Sequence, residues 1–223
     1  MEPDSPGPEP TITAVRAVTR GQQRLVELSD GRQLVFSEEA VDRAAIRVGM
    51  PATAALFAAL EAADQRAAAH EAALRLLATR ARSERELRTR LAMRGHEPET
   101  IDHEIERLRK AGLIDDHRFA EAWVAHRQQN APRGRQMLRY ELLGRGIDPE
   151  SATAATDGLD DRATALQLAR GRARSGRFAS YEAYLAKVGG FLRRRGFTYE
   201  VASGAARTVW DEIRPRDEAD AEP

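Results

Sequence analysis

Residues 94–99 read Arg-Gly-His-Glu-Pro-Glu, and the phrase returns as Arg-Gly-Ile-Asp-Pro-Glu at residues 145–150 and as Arg-Gly-Phe-Thr-Tyr-Glu at residues 195–200. The three glycines are 51 and then 50 residues apart. A leucine precedes each glycine by four residues, and another aliphatic residue precedes it by eight. Self-similarity at a fixed period is typical of repeat architectures. We therefore predict tandem repeats, which usually present an extended binding surface rather than an enclosed pocket.

The first repeat, residues 70–112, is predicted to contain three helices. Ser83 has the place of an N-cap, and Glu86 follows three residues later as its capping-box partner. Gly95 is expected to end the second helix as a left-handed residue, and Gly112 closes the third. The residues expected to face inward in the first helix are Leu74, Leu77 and Ala78. Helical spacing predicts that the third helix buries Ile101, Ile105 and Leu108.

The second repeat, residues 113–158, and the third, residues 159–213, follow the same plan. Asp115 or Asp116 is expected to cap the first helix of the second repeat, because a carboxylate can accept the free amides of a first turn. This helix carries Phe119 and Trp123, and their spacing favours a core role for Trp123 over stacking on a base. The glycines expected to end the second helices are Gly146 and Gly196.

Each repeat has few large apolar side chains. Their burial within one repeat is too small to offset the conformational entropy lost when about fifty residues become ordered. We therefore expect the three units to stack, so that neighbouring repeats share continuous burial. The echo between residues 112–116 (Gly-Leu-Ile-Asp-Asp) and residues 158–161 (Gly-Leu-Asp-Asp) marks where the second and third repeats begin.

Residues 11–69 are predicted to form a small β-meander followed by connector helices. A turn at Gly21 and a hairpin turn at residues 29–32 (Ser-Asp-Gly-Arg) separate the apolar runs. Ser37 is expected to cap a short helix that reaches about Arg47. Pro51 takes the first position of an alanine-rich helix, which continues into the repeats as a stiff connector.

The composition indicates a well-solvated chain of zero formal net charge. Its 35 basic residues balance 35 acidic ones, and it contains no cysteine. Disulfides and thiolate metal sites are therefore excluded, and a reducing cytoplasm is compatible. No apolar run approaches the roughly 20 residues of a membrane span, and the start lacks the features of a secretory signal. We expect a cytoplasmic protein without a membrane partner, with disordered tails at residues 1–10 and 214–223.

Three segments resemble the RecX family, whose members regulate the RecA recombinase. They are residues 80–87 (RARSEREL), 112–120 (GLIDDHRFA) and 134–147 (GRQMLRYELLGRGI). The resemblance covers residues 70–158 well and residues 159–213 more loosely. It implies a mainly α fold, with three tandem three-helix repeats in an elongated, curved stack after the small β-rich region.

The resemblance also implies what the chain does. It implies a non-enzymatic regulator that docks into the groove of a RecA–DNA filament. Such a protein limits filament extension, ATP turnover and strand exchange, and so damps recombinational repair and the SOS response. The implied partners are the RecA filament and, weakly and without sequence preference, single- and double-stranded DNA. We expect a monomer without cofactors.

Arginine supplies all but two of the 35 basic residues, the exceptions being Lys110 and Lys187. A GC-rich genome explains this bias, and so does a need for the guanidinium fork, which binds phosphate and carboxylate in bidentate geometry. Like charge repeated at one structural position attracts a phosphate backbone or an acidic protein face. The candidate partner-binding residues are Arg80, Arg82, Arg127, Arg133, Arg135, Arg139, Arg172, Arg174, Arg177, Arg193, Arg194 and Arg195.

No catalytic or metal-binding constellation emerges from the sequence. Glu99 and His103 are one helical turn apart, as metal ligands can be, but no third ligand is evident nearby. Helix capping explains the pair Asp115 and Asp116 more simply than an acid–base cluster with His117 does. The glycines that end helices lack the following Lys-Ser/Thr of a phosphate-binding loop.

Two other functions remain open. Short helices joined by tight turns also fit a sequence-specific helix-turn-helix protein. A reading helix should begin with Arg, Asn or Gln, whereas the only such cluster, at residues 128–130, is at a helix end. The third possibility is a pure scaffold. It predicts that binding survives the joint neutralisation of Arg133, Arg135 and Arg139.

Overall fold

A computed structural model of the chain describes residues 9–18 and 22–213. Within these residues there are three strands and ten helices, so the predicted mainly α class is confirmed. The predicted turn at Gly21 lies outside the described residues, and so do residues 1–8 and 214–223 of the tails expected to be disordered (residues 1–10 and 214–223). Pro10, at the end of the first tail, is described, and its carbonyl accepts the amide of Ala52 at 2.7 Å. The chain folds into two compact units. The first contains the chain up to Arg82 together with Leu87–Leu113, and the second contains Ser83–Glu86 together with the chain from Ile114 onward.

The first unit begins with the predicted β-meander. Its antiparallel strands, in the order β1-β2-β3, are β1 (Ile12–Ala17), β2 (Gln23–Leu28) and β3 (Gln33–Ser37). The hairpin turn between β2 and β3 is confirmed, because Gly31 has a φ of +86° and the Asp30 carboxylate accepts the amide of Arg32 at 3.0 Å. The core between the sheet and the following helices contains Ile12, Val26, Phe36, Val41 and Leu60.

Four helices belong wholly or partly to the first unit, namely α1 (Glu38–Arg43), α2 (Ala54–Thr79), α3 (Glu84–Ala92) and α4 (Pro98–Lys110). Ser37 caps α1 as predicted, by accepting the amide of Ala40 at 3.2 Å. The helix is shorter than expected and ends at Arg43, and Ala45 then turns the chain with a φ of +49°.

The predicted start of α2 at Pro51 is wrong. Thr53 caps the helix through its hydroxyl, which accepts the amide of Leu56 at 3.1 Å, while Pro51 forms a β-bridge with Thr11. The helix then runs without a break to Thr79, so the expected connector and the first helix of the repeats are one element.

The face that α2 buries also differs from the prediction. Leu74 is 40% exposed, and the inward residues near it are Ala72, Ala73 and Leu76. An alanine-rich face permits close approach of α1 and α4, the two helices that pack on α2. Packing against these neighbours sets the rotation of the helix, which the leucines alone did not reveal.

The second unit contains the remaining helices, which are α5 (Asp116–Asn130), α6 (Arg135–Gly144), α7 (Pro149–Asp157), α8 (Asp161–Arg174), α9 (Tyr181–Arg194) and α10 (Tyr199–Ile213). One core cluster joins α5, α6 and α7 around Phe119, Leu138 and Leu142. A second joins α8, α9 and α10 around Tyr184, Val188 and Leu192. The half-buried Trp123 packs against the first cluster.

Four glycines end helices in the left-handed region, as predicted. Their φ angles are +85°, +67°, +90° and +86° at Gly95, Gly112, Gly146 and Gly196. After each, the next amide donates to the carbonyl of a leucine five residues earlier, for example Ile147 to Leu142 at 3.1 Å. This is the backbone geometry in which glycine escapes the Cβ penalty.

Candidate functional site

The start of α3 meets the end of α6 in a contact that we call the first joint (residues 83–86, 116, 145 and 146). The Ser83 hydroxyl donates to the carbonyl of Arg145 at 2.6 Å. The Arg145 guanidinium pairs in turn with the carboxylate of Glu86. Arg85 lies directly over Gly146, so that a Cβ at this glycine would collide with the Arg85 side chain. Arg145 and Gly146 of the second repeat therefore pack against the start of α3 in the first repeat.

The two aspartates of the GLIDD segment cap different helices. Asp115 caps its own helix α5, by accepting the amide of Arg118 at 3.0 Å, and this bond lowers the pKa of the Asp115 carboxyl. Asp116 instead accepts the amide of Glu84 at 2.8 Å, at the start of α3. Burial raises the pKa of the Asp116 carboxyl, against the effect of the Glu84 amide. Asp116 therefore belongs to the first joint.

The second joint (residues 132–137, 161, 195 and 196) repeats this arrangement between α6 and α9. The Gly134 amide donates to the carbonyl of Arg195 at 2.9 Å, and the Arg195 guanidinium donates to the carbonyl of Pro132 at 2.9 Å. A Cβ at Gly134 would collide with the carbonyl of Gly196. The repeated phrase thus makes the same contact twice.

Asp161 has the role in the second joint that Asp116 has in the first. Its carboxylate accepts the amide of Arg135 at 3.0 Å, at the start of α6. The preceding Asp160 caps its own helix through the amide of Ala163 at 3.0 Å. Each Asp-Asp pair therefore starts one helix and closes the N-terminus of an earlier one.

The outermost elements of the repeat series break the pattern. At Gly95 an added Cβ would meet open space, and the neighbouring Arg94 donates to the carbonyl of Arg90 at 3.1 Å. The helix α9 starts one turn earlier than its counterparts. Its N-cap Ser180 precedes Gly196 by 16 residues, whereas Gly134 precedes Gly146 by 12. The extra turn places the fully buried Tyr184 at the sequence position that corresponds to Gly134.

A half-buried tryptophan is clamped beside the first joint. The Arg145 guanidinium carbon lies 3.6 Å from the centre of the Trp123 ring, and that of Arg127 lies 4.6 Å from it. The indole nitrogen of Trp123 donates to Glu141 at 3.0 Å, and Arg127 donates to the same oxygen at 2.9 Å. Trp123 therefore has a structural role, in agreement with the sequence interpretation.

The second joint lacks a carboxylate partner for its arginine within the described residues. Arg195 lies 4.7 Å from the ring centre of Phe191. Burial lowers the pKa of Arg195, and the nearby charge of Arg133 lowers it further. Arg133 is itself paired with Glu141 at 3.0 Å. Both joints therefore contain hydrogen bonds, and the arginine of the first joint also forms an ion pair with Glu86, whereas Arg195 of the second donates to the carbonyl of Pro132.

Several of the twelve candidate arginines are occupied by contacts within the chain. Arg82 donates to the carbonyl of Leu76 at 3.0 Å, and Arg135 donates to that of Leu159 at 2.6 Å. Arg139 bonds Thr156 and Asp157, both at 2.8 Å. Arg80 donates to the neighbouring carbonyl of Ala81 at 2.8 Å. The others occupied in this way are Arg127, Arg133 and Arg195.

The remaining five candidates lie in the third repeat. Each is exposed, and none has an acidic partner within residues 9–18 and 22–213. Arg172 lies 5.8 Å from the ring centre of Phe191, and Arg193 lies 5.8 Å from that of Tyr199. We call them the exposed arginine set, which consists of Arg172, Arg174, Arg177, Arg193 and Arg194.

The structure offers little support for a metal centre or for base reading by residues 128–130. Across the described ranges, no three His, Asp or Glu side chains are grouped as a metal ion requires. Gln128 donates to the carbonyl of Arg133 at 3.1 Å, and Asn130 donates to that of His126 at 3.0 Å. Nor is any helix in the described part long and apolar enough to cross a bilayer.

Sequence reasoning missed an aromatic group at the end of the third repeat. Phe178, Tyr181, Tyr184 and Trp210 contact one another, with ring centres 4.9 to 5.7 Å apart. The spacing of Tyr181 and Tyr184 on one helix could have indicated it. The contact with Trp210 joins residues from different helices, and no local pattern reveals it.

Together these features define a protein of tandem three-helix modules with a recurring Arg-Gly contact. Comparison with known proteins also finds three-helix modules. The family model described as "RecX, first three-helix domain" matches residues 69–108, and the one described as "RecX, second three-helix domain" matches residues 115–155. A Regulatory protein RecX of Mycolicibacterium smegmatis is 39% identical over 136 residues, covering 58% of this chain and 72% of that protein. The chain belongs to the RecX family.

Other similar proteins extend the match. A Regulatory protein RecX of Mycolicibacterium vanbaalenii is 34% identical over 162 residues, which is 69% of this chain and 88% of the relative. A solved structure described as regulatory protein RecX aligns with 91% of this chain and 99% of its own, with a TM-score of 0.74 and 22% identity. The RecX structure from Lactobacillus salivarius aligns with 68% of this chain and 99% of its own, with a TM-score of 0.61 and 25% identity. The fold is therefore shared.

Proposed function

We propose that this chain regulates RecA by binding the recombinase and its DNA filaments, and that it limits filament extension, ATP turnover and strand exchange. In this way it damps recombinational repair and the SOS response. It acts in the cytoplasm as a monomer, without enzymatic activity and without a cofactor. Membership of the RecX family, whose relatives are named regulatory proteins, carries this proposal. Repeat arrays present long surfaces, which suits a polymeric partner.

On this proposal the repeats at residues 70–112, 113–158 and 159–213 form the binding surface, and the β-rich residues 11–69 precede it. The exposed arginine set supplies cations that the described part of the chain leaves unneutralised. Exposed guanidinium groups attract phosphates or an acidic protein face, and they contribute weak DNA binding without sequence preference. The arginines within the joints instead hold the modules together.

The central experiment is DNA strand exchange by RecA with the protein added before or after filament assembly. We expect excess protein to slow RecA ATP turnover and to shorten filaments seen by electron microscopy. If neither changes, the proposed function is wrong.

The role of the exposed arginine set is tested by replacing all five residues with Gln. We expect the quintuple variant to fold normally and to lose most of its effect on RecA. A matched variant changes five other exposed arginines, namely Arg47, Arg90, Arg94, Arg118 and Arg207. Equal activity of the two variants would show that overall charge, and not this surface, matters.

The quintuple variant is a better test of a pure scaffold than the joint neutralisation of Arg133, Arg135 and Arg139. Neutralising Arg133, Arg135 and Arg139 would remove two ion pairs, with Glu141 and Asp157, and two further hydrogen bonds within the fold. Loss of binding in that variant would therefore report loss of structure. The structure does not favour the helix-turn-helix alternative. The side chains of Gln128 and Asn130, which would have to contact base edges, donate hydrogen bonds to backbone carbonyls of the chain.

A further inference from the structure

The third repeat contains an open cleft that neither joint uses. It lies between the end of α8, the start of α9 and the end of α10, and its volume is about 1050 Å³. Phe178, Tyr181 and Trp210 line it, together with the apolar residues Val209 and Ile213. All three rings are partly exposed, so their surfaces are available to a ligand.

The aromatic wall of the cleft is held rigidly from behind. The ring of Tyr184 is fully buried and packs edge-on against Phe178, with ring centres 4.9 Å apart. Its centre is 5.0 Å from that of the Trp210 ring, and the centre of the Tyr181 ring is 5.7 Å from that of Trp210. A wall fixed in this way binds a flat ring without first losing conformational freedom.

The charges around the cleft are unevenly distributed. Arg170 donates two hydrogen bonds to Glu212, at 2.9 and 2.6 Å, so this pair is neutralised. Glu182 lines the α9 side, where a hydrogen bond with Ser180 lowers the pKa of its carboxyl and keeps it anionic. Arg174 lines the α8 side and has no acidic partner within the described residues. An anionic group is therefore favoured on the α8 side, beside Arg174. The α9 residue Lys187 adds a cation behind this wall, with its Nζ 5.6 Å from the ring centre of Phe178.

We infer that this cleft binds an unstacked base of single-stranded nucleic acid, with the adjoining phosphate beside Arg174. Aromatic platforms next to cations are what proteins use to hold single strands, because every base has a flat face. A duplex hides those faces by stacking them. The inference deepens the DNA contact of the proposed function and rests on it for the class of partner.

Tryptophan emission of the full chain reports the contact, because a base stacked on Trp210 quenches it. The probe is an oligothymidylate of about ten nucleotides, within the usual size of a single-strand site. We expect quenching by the single strand, little quenching by a duplex of equal length, and loss of the quenching in Trp210→Phe. Quenching that survives in Trp210→Phe would come from Trp123 and would overturn the inference, and so would equal quenching by the duplex.

A second measurement does not depend on changing the aromatic wall. Arg174→Gln removes one exposed cation, so the slope of log affinity against log salt for the oligothymidylate should fall by about 0.7. Arg90→Gln, an exposed arginine in the first unit, should leave the slope unchanged. If the slopes of the two variants are equal, the phosphate is not beside Arg174 and the inference is wrong.

A third arm tests whether the chain's own end fills the cleft, because residues 214–223 follow directly from Ile213. If their deletion alone shifts the Trp210 emission and the oligothymidylate leaves the full chain unquenched, the tail is the occupant and the inference fails. RecA assays separate the two proposals. A chain that regulates filaments without quenching refutes only the cleft, and a chain that is quenched without affecting filaments refutes the proposed function.

Discussion

The backbone amide of Arg135 donates a hydrogen bond to the Asp161 carboxylate at 3.0 Å, across 26 residues of sequence. The start of α6 has Gly134 as its N-cap, and a glycine offers no side chain to accept the free amides of the first turn. Asp161, at the start of α8, supplies the missing acceptor. The third repeat thus supplies the N-terminal capping group for a helix of the second repeat. The stability of α6 therefore depends on the second joint.

Asp161→Ala should lower the free energy of unfolding by about 1–2 kcal/mol, as expected for loss of a helix cap. Asp161→Asn should recover part of this loss, because the amide oxygen still accepts while the charge at the helix terminus is gone. Denaturant unfolding measures both. Asp211→Ala, at an exposed position of α10, is the control, and an equal loss there would refute the capping role.

Gly134→Ala should destabilise the second joint by about 1–3 kcal/mol, because the new Cβ would collide with the Gly196 carbonyl and force the backbones apart. The φ of Gly134 is −68°, so backbone strain contributes nothing to this effect. Gly144→Ala is the matched control, because its Cβ would meet open space. Thermal unfolding of the two variants should differ clearly, and equal melting temperatures would contradict the close contact.

Tyr184→Phe should keep or raise stability at neutral pH, because the Tyr184 hydroxyl is buried and has no hydrogen-bond partner among residues 9–18 and 22–213. Leaving such a group unsatisfied costs about 1–3 kcal/mol. Burial raises the pKa of Tyr184 from its usual 10.0 to about 12. The unfolded chain therefore loses this proton first, and wild-type stability should fall between about pH 10 and pH 12.

Tyr184→Phe has no such proton, so its unfolding free energy should fall less over the same pH range. The measurement is denaturant unfolding at a series of alkaline pH values. Tyr140→Phe is the control, because Tyr140 is 74% exposed. Parallel pH profiles for wild type and Tyr184→Phe would show that the buried hydroxyl does not titrate as described.

His70→Ala should destabilise the first unit by about 1–3 kcal/mol. His70 Nδ1 lies 2.8 Å from the carboxylate of Glu104, whose side chain is only 2% exposed. The variant leaves this buried carboxylate without that partner. His117→Ala removes a contact between exposed side chains at 3.4 Å and should change stability by less than about 0.5 kcal/mol. Similar losses in both variants would argue against a special role for the buried pair.

Much of the fold follows from local pattern. The positive-φ glycines, the caps at Ser37 and Asp115, and the buried faces led by Leu138 and Leu142 all depend on residues near one another in sequence. The start and rotation of α2 were wrong because partners distant in sequence decide them. Thr11 holds Pro51 in a β-bridge, and the alanines of α2 face α1 and α4.

The candidate site was less accessible to sequence reasoning than the fold. Repetition marked Arg145 and Arg195 as important, but their role in joining modules depends on contacts 59 to 63 residues away. Charge alone also cannot separate Arg139, which bonds Thr156, from Arg174, which has no acidic partner in the described ranges. Only the three-dimensional neighbours distinguish these arginines.

The additional turn at the start of α9 changes the surface on which a following repeat would dock. An Arg-Gly end from a fourth unit would have to approach the level of Tyr184, where a completed helical turn already stands. We therefore expect a further repeat placed after the third to lack the Arg-Gly contact that the starts of α3 and α6 accept.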